Sequence, residues 1–503
     1  MIKTSIILML CVFFSKIFGF LREIVISYFY GTTLSTDAFF VAQNIPTVIF
    51  AAIGAAISVA VIPIYTKLLH KDKEKASVFI NNLLTISFLI TTVLIILCIV
   101  FSEQIVYIFA SSLSKKGKLL ASKMLKVLSI TLYFTMFSYV CGGMLNSNNK
   151  FYIPQLAAIP YNITSILCVM FLTKKLDIWA LVIGTIGGML LQTIFHLVPL
   201  KKINKYKITF NLKDENLKKL LVLSWPMIIT VIFQQLNIVV DKNVASGIMV
   251  GAISAINYSD RIIGIIYGIF SVSIMTILYS KFNELMIKNQ KGEVIKTLLK
   301  WLIIVLLVTL PVTMISIIFN KEIISILFGR GAFDAAAIAM TSEVYLYYSF
   351  SIFSMAANDI ILRCYYSLND SKTPKIITII SVVLNVVLNI VLSKIIGLKG
   401  IAISTSISTI IQTILLLIIL KKKCKIKLNN FIISIIKIIF INAFILIFMY
   451  YLNEYLLIDY IISKMLLVVI ISILIYIILL YIFNISAIKD FLKMLKNRLK
   501  KKE

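Results

Sequence analysis

The stretch Ser5-Ile-Ile-Leu-Met-Leu-Cys-Val-Phe-Phe-Ser-Lys-Ile-Phe-Gly-Phe-Leu-Arg-Glu-Ile-Val-Ile-Ser27 decides the fold class. As a helix it is long enough to cross the hydrocarbon core, which takes about 20 mostly apolar residues. It is not a secretory signal. It has no small-residue cleavage site, and Lys16, Arg22 and Glu23 interrupt the apolar region such a signal needs. It therefore reads as a membrane span. Its charges need a wet cavity or a partner, because a charge at the bilayer centre costs about 2.5–3.5 kcal/mol on insertion scales.

Thirteen more such stretches follow: 36–65, 78–101, 127–147, 154–173, 177–199, 219–243, 250–280, 299–319, 337–365, 374–394, 398–420, 429–451 and 460–483. The composition agrees. Of 503 residues 60% are hydrophobic and 14% charged, and the mean hydropathy is +1.01. Soluble domains run about 45–50% apolar and about 25% charged. This excludes an ordinary soluble enzyme, a secreted domain and a disordered chain. The expected class is an all-α polytopic membrane protein of about 14 transmembrane helices.

Lys and Arg total 50 against 21 Asp and Glu. These basic residues sit in short clusters between apolar runs, with no basic domain to hold a duplex, so no nucleic-acid partner is expected. They fall mainly in alternate loops, around Lys71, Lys205, Lys291 and Lys422, and in the tail after Lys489. Loop lysines concentrate on the cytoplasmic side, so both termini are expected in the cytoplasm. Lys115, Lys116, Lys118, Lys123 and Lys126 break the pattern. The six cysteines form no CxxC pair and the two histidines, His70 and His196, no cluster. No nucleophile set or phosphate loop is present, so the chain does not read as an enzyme.

The chain also resembles itself. Glu103-Gln-Ile-Val-Tyr-Ile-Phe109 lies 219 residues before Glu322-Ile-Ile-Ser-Ile-Leu-Phe328, and Pro154 lies 220 before Pro374. Arg22 falls opposite Asp241 in the same register. An offset of six helices keeps both halves in one orientation. This makes a parallel repeat of two six-helix bundles around a central cavity. The expected organisation is bundle 1–200, cytoplasmic linker 201–218, bundle 219–420, two extra helices at 421–485 and a basic cytoplasmic tail at 486–503.

Two polar groups stand out within the spans. Arg22 and Arg261 belong to different halves and could both point into one cavity. A guanidinium donates two parallel hydrogen bonds to a phosphate and stays charged. Lys16, Glu23 and Asp37 accompany them. The second group is Asp241, Asn385, Asn389 and Thr405. One carboxylate with amide and hydroxyl oxygens suits a hard cation such as Na⁺. The same residue types also serve as hydrogen-bonded glue between membrane helices.

Ser15-Lys-Ile-Phe-Gly-Phe-Leu-Arg-Glu23, with Tyr30-Gly31 and Thr36-Asp-Ala-Phe-Phe40, closely resembles the start of the MurJ (MviN) lipid II flippases. These belong to the multidrug/oligosaccharidyl-lipid/polysaccharide exporter superfamily. Leu145-Asn146 with Phe151 and Pro154, Tyr258-Ser-Asp-Arg261, Leu327-Phe-Gly-Arg-Gly-Ala-Phe333, Tyr366 to Pro374 and Leu384-Asn-Val-Val-Leu-Asn389 continue the match in order. The resemblance implies a multi-pass protein of the bacterial cytoplasmic membrane. It implies lipid II, an undecaprenyl-pyrophosphate-linked saccharide, as cargo, within a setting of membrane lipids. It implies a monomer associating with cell-wall synthesis enzymes, and no cofactor beyond a Na⁺ ion. Arg22 and Arg261 match cavity arginines, and Asp37 an acidic position. Asp241, Asn385, Asn389 and Thr405 match a sodium site in which some members carry Asp at the position of Asn389. Many members also carry an Arg-Arg pair after the proline matching Pro46. Here the segment is Thr47-Val-Ile-Phe-Ala-Ala-Ile-Gly54, and Lys16 is the expected compensating charge. A carrier of another undecaprenyl-linked unit and a drug/cation antiporter are the alternatives.

Overall fold

The computed structural model describes residues 2–201, 206–424, 428–456 and 458–483. Among them every regular element is a helix. The expected basic tail at 486–503 lies outside the described residues, as do 202–205 of the linker and 425–427.

The first repeat contains α1 (Ile2–Tyr30), α2 (Leu34–Lys71), α3 (Lys73–Val100), α4 (Ser102–Phe109), α5 (Lys115–Leu128), α6 (Thr131–Ser147), α7 (Tyr152–Leu156), α8 (Ala158–Leu176) and α9 (Trp179–Leu200). The second contains α10 (Glu215–Ser246), α11 (Ala252–Ile287), α12 (Lys291–Ile318), α13 (Asn320–Phe328), α14 (Ala335–Ser349), α15 (Ser351–Ser367), α16 (Lys372–Ile396) and α17 (Leu398–Cys424). Two helices follow, α18 (Asn429–Tyr455) and α19 (Ile461–Ile482). Each of the fourteen expected spans falls on one helix or on a broken pair. Among the described residues eight helical stretches, α7–α8 counted as one, are long and apolar enough to cross a membrane, and the α5–α6 pair, bent by 47°, makes a ninth.

Local signals explain the ends. Thr33 caps α2 by accepting from the Thr36 N–H. Asp72 closes α2 and opens α3, accepting from the Glu74 and Lys75 N–H groups. The Lys75 backbone bond first, then that of Glu74, holds this exposed carboxyl below the usual carboxylate range. The five lysines that broke the charge pattern lie on α5, an amphipathic helix that buries Ala121, Met124, Leu125 and Leu128. The outer surface is apolar: Ile96, Phe440 and Ile470 are 55%, 64% and 56% exposed. A water-soluble protein rarely presents such a belt, whereas lipid is its natural solvent.

The repeat is visible in the backbone. Among the described residues, left-handed positions recur 220 residues apart at Gly31 and Gly251, Asn149 and Asn369, and Asp177 and Gly397. Asn149 and Asn369 end α6 and α15 in the same way. Lys150 N–H bonds the Leu145 carbonyl (2.9 Å), and Asp370 N–H the Tyr365 carbonyl (3.0 Å). This is the six-to-one closure of a Schellman end. The series α4, α5, α6 likewise recurs as α13, α14, α15. The linker is pinned to α3. Asn82 Nδ2 donates to the Asn211 carbonyl and Asn82 Oδ1 accepts from the Asn211 N–H, both at 2.8 Å.

Two compact units emerge, and neither is one continuous stretch of chain. The first comprises Met1–Arg261, Leu327–Met340 and Val382–Ile401. The second comprises Ile262–Ile326, Thr341–Ser381 and Ala402–Glu503. The first unit therefore gathers segments of both repeats, whereas the expected bundles 1–200 and 219–420 follow the repeat boundary.

Candidate functional site

Both expected arginines lie in the first unit. Arg22 sits on the last third of α1, buried at 6% exposure. Its Nη1 donates to Tyr161 Oη at 2.5 Å and its Nη2 to Glu23 Oε1 at 2.6 Å. The guanidinium carbon lies 5.0 Å from the centre of the Tyr161 ring, a cation–π distance. Gln43 Nε2 on α2 donates to the same tyrosine hydroxyl at 3.2 Å. Arg261, on α11, places its Nε 3.4 Å from Glu23 Oε1. One carboxylate thus bridges two guanidiniums, and the trio carries a net positive charge. The two arginines differ in access: the Arg22 side chain is 8% exposed, that of Arg261 49%. Arg22 Nε and Glu23 Oε2 are buried without a hydrogen-bond partner. Arg22 is held in place, and the Arg261 side chain is the more accessible of the two.

Lys16 does not share this face. Six helical residues separate it from Arg22, which is about 9 Å of rise and about 120° of rotation. It is partly buried on α1.

Asp37 bonds the start of α11. Its side chain is buried at 1% exposure. Oδ2 accepts from the Gly251 N–H (2.7 Å), and Oδ1 from the Ser254 N–H (2.8 Å) and hydroxyl (2.6 Å). It caps the N-terminus of α11, where a carboxylate satisfies otherwise unpaired backbone donors and meets the positive end of the helix dipole. Both its oxygens are engaged in clasping the start of α11. Around it the end of α1 is sealed. The Ala332 N–H donates to the Tyr28 carbonyl at 2.8 Å. Tyr258 donates to the Gly31 carbonyl (3.2 Å) and packs on Phe40, Phe328 and Phe333. Glycine is required at Gly31 and Gly331: both have positive φ, and a Cβ would stand 2.2 Å from the Ala332 carbonyl and 2.3 Å from the Tyr28 carbonyl.

The third set is brought together in part. Asn389 Nδ2 donates to Asp241 Oδ1 (2.5 Å) and Asn385 Oδ1 (3.1 Å). Asn389 Oδ1 is buried with no hydrogen-bond partner. Thr405 belongs to the second unit. Lys242, 6% exposed, lies within electrostatic reach of Asp260, Asp241 and Asp37. The donor types suit a monovalent cation: a carboxylate, an amide oxygen and an orphaned amide oxygen beside them. Among the described residues no group of three His, Cys, Asp or Glu could hold a metal ion.

Tyr161 and Ser254 are the residues that sequence reading missed. Tyr161 is a single hydroxyl in an apolar span. Ser254 carries a weak signal, lying three residues after Gly251 at a helix start.

With this geometry in view, the comparisons agree. A family model described as "Lipid II flippase MurJ" matches residues 26–471. The probable lipid II flippase MurJ of Buchnera aphidicola subsp. Schizaphis graminum is 31% identical over 454 residues, 87% of each chain. That of Thermotoga maritima is 26% identical over 405 residues, covering 80% of this chain and 82% of its own. A solved structure titled "Lipid II flippase MurJ, inward closed conformation" superposes with a TM-score of 0.82 at 28% identity, covering 96% and 99%. An inward-facing multidrug resistance MATE transporter superposes at 0.68 with 16% identity, covering 84% and 94%, which is a likeness of fold alone. A helix-only membrane fold, an internal repeat and an arginine pair bridged by Glu23 thus meet a match over most of the sequence: the chain belongs to the lipid II flippase MurJ family.

Proposed function

We propose that the chain carries lipid II from the inner to the outer leaflet of the bacterial cytoplasmic membrane by alternating access. The observation that carries this reading is the pair Arg22 and Arg261, one from each repeat, joined through Glu23 with Arg261 half exposed. A pyrophosphate brings more negative charge than Glu23 and draws the Arg261 fork to itself. Arg22 stays locked on Tyr161 and supplies the fixed half of the clamp. The prenyl tail remains in lipid while two six-helix bundles rock around the headgroup. Both termini lie in the cytoplasm in this reading, which puts the sealed end of α1 on the outer side. An anionic headgroup leaving the cell is helped by an inside-negative potential, worth about 2.3 kcal/mol per charge per 100 mV. Na⁺, held by oxygens of Asp241, Asn385 and Asn389, is the coupling ion.

Rescue of a strain depleted of its lipid II flippase tests the reading, with outer-leaflet lipid II as the readout. Wild type should restore growth and labelling. Arg261→Ala should insert normally and restore neither. Full rescue by Arg261→Ala would overturn the clamp.

A further inference from the structure

A cavity of about 410 Å³ opens within the first unit between α6, α7 and α9. That size falls in the range of small-ligand sites. Ser138, Tyr139 and Asn146 of α6 line it, with Gln155 of α7 and Gln192 and His196 of α9. Among the described residues no Asp, Glu, Lys or Arg lines it. The side chains of Ser138, Tyr139, Asn146, Gln155 and Gln192 form no hydrogen bond with any described residue; Gln155 is exposed and Gln192 partly exposed. His196 Nδ1 stands 2.9 Å from the Gln192 carbonyl. A carbonyl only accepts, so Nδ1 carries a proton, and in the neutral ring Nε2 is left as an acceptor. Gly142 lines the same cavity, and a Cβ there would meet nothing within 4 Å.

Interhelical glue does not account for this arrangement. Polar side chains that bind helices together are bonded to each other or to backbone. Here five keep their hydrogen-bonding capacity and turn it toward one space. The set offers amides, hydroxyls, one acceptor nitrogen and an aromatic ring, and no formal charge. It is matched to an uncharged group rich in hydroxyls and amides, and poorly matched to phosphate or to a cation. We propose that the α6–α9 cavity binds the saccharide portion of the lipid-linked cargo. Gln192, Asn146 and Ser138 bond its hydroxyl and acetamido groups, and Tyr139 offers a face to a sugar ring. This deepens the reading given above and rests on it: the arginine clamp takes the charge, and this cavity selects what is attached to the charge.

The test uses full-length protein in nanodiscs and two probes: undecaprenyl pyrophosphate, and the same carrier bearing the disaccharide-pentapeptide. Wild type should bind the sugar-bearing carrier more tightly. Gln192→Met, which keeps the side-chain shape, and Ser138→Ala should each erode that preference, together by about tenfold, and leave the bare carrier unaffected. Arg261→Ala should weaken both probes alike. An undiminished preference in both cavity variants, or no preference in wild type, overturns the saccharide site and leaves the flippase reading standing. Failure of wild type to bind either probe overturns the flippase reading itself.

Discussion

Arg22 is recognisable in the sequence as a charge within a span, but its partner is not. Tyr161 accepts from Arg22 and Gln43 and lies under the guanidinium. Removing its hydroxyl leaves a buried donor unpaired, at a cost of about 1–3 kcal/mol. Tyr161→Phe should therefore lower the melting temperature of the purified protein and reduce lipid II flipping, while the variant still reaches the membrane. An unchanged melting temperature would show that the hydroxyl contributes nothing. Arg22→Lys should fare worse in transport, because an ammonium cannot hold Tyr161 and Glu23 with a planar fork. The arginines were legible because charge in a span is rare. Tyr161 was not, because a lone hydroxyl among apolar residues has no pattern. Asp37 was legible as a charge at a span start, but its bonds were not: the sequence does not reveal that the α11 N-terminus folds back onto it.

At the scale of elements, length and apolarity were enough to put each of the fourteen stretches on helix, eight or nine of which, among the described residues, are long and apolar enough to cross a membrane. The breaks inside them were not legible. The α5–α6 bend lies at Ser129 and Ile130, with no proline or glycine to announce it. The clasp between α2 and α11 has a direct test. Asp37→Asn removes the charge behind three hydrogen bonds, and bonds to charged groups are each worth about 1.5–3 kcal/mol. The backbone amides of Gly251 and Ser254 should then exchange hydrogen markedly faster, as read by mass spectrometry; unchanged rates would mean that Asp37 does not hold α11. A second element pair responds to acid. Lys423 Nζ reaches Asp370 Oδ2 at 2.5 Å and joins the start of α16 to the end of α17. Partial burial alone would raise the Asp370 carboxyl. The Lys423 ammonium and the Thr373 backbone bond outweigh it and hold the carboxyl below its ordinary value of 3.8. Its contribution is thus complete above that value and disappears as pH falls through the folded value. Solvent screening keeps it under about 1 kcal/mol. Asp370→Asn should melt slightly earlier than wild type at pH 7 and at the same temperature near pH 2.

Across the whole molecule the repeat was readable from two short similarities, and the left-handed positions 220 residues apart give it a backbone form. What sequence could not foretell is how segments of the two repeats join in the first unit. Ser111 Oγ bonds Asn243 Oδ1 (3.1 Å), Asn243 Nδ2 the Ile108 carbonyl (2.8 Å), and the Ser112 N–H the Ser246 hydroxyl (3.3 Å). These lie alongside the Asp37 clasp and the Ala332–Tyr28 bond. The Cβ of a residue at Gly247 would lie 3.1 Å from Ser112 Cβ, shorter than the roughly 3.5–4.5 Å of a disulfide, so a bridge there needs the two backbones to part by a few tenths of an ångström. Ser112→Cys with Gly247→Cys should cross-link under oxidation and stop flipping, and reduction should restore it. Flipping that continues in the cross-linked protein would show that this end never parts. A seam of many modest bonds lets go as a unit or not at all. Its opening therefore behaves like a small melting transition, steep in temperature. A cell that cools should find this step slowing far more sharply than the diffusion of its lipids.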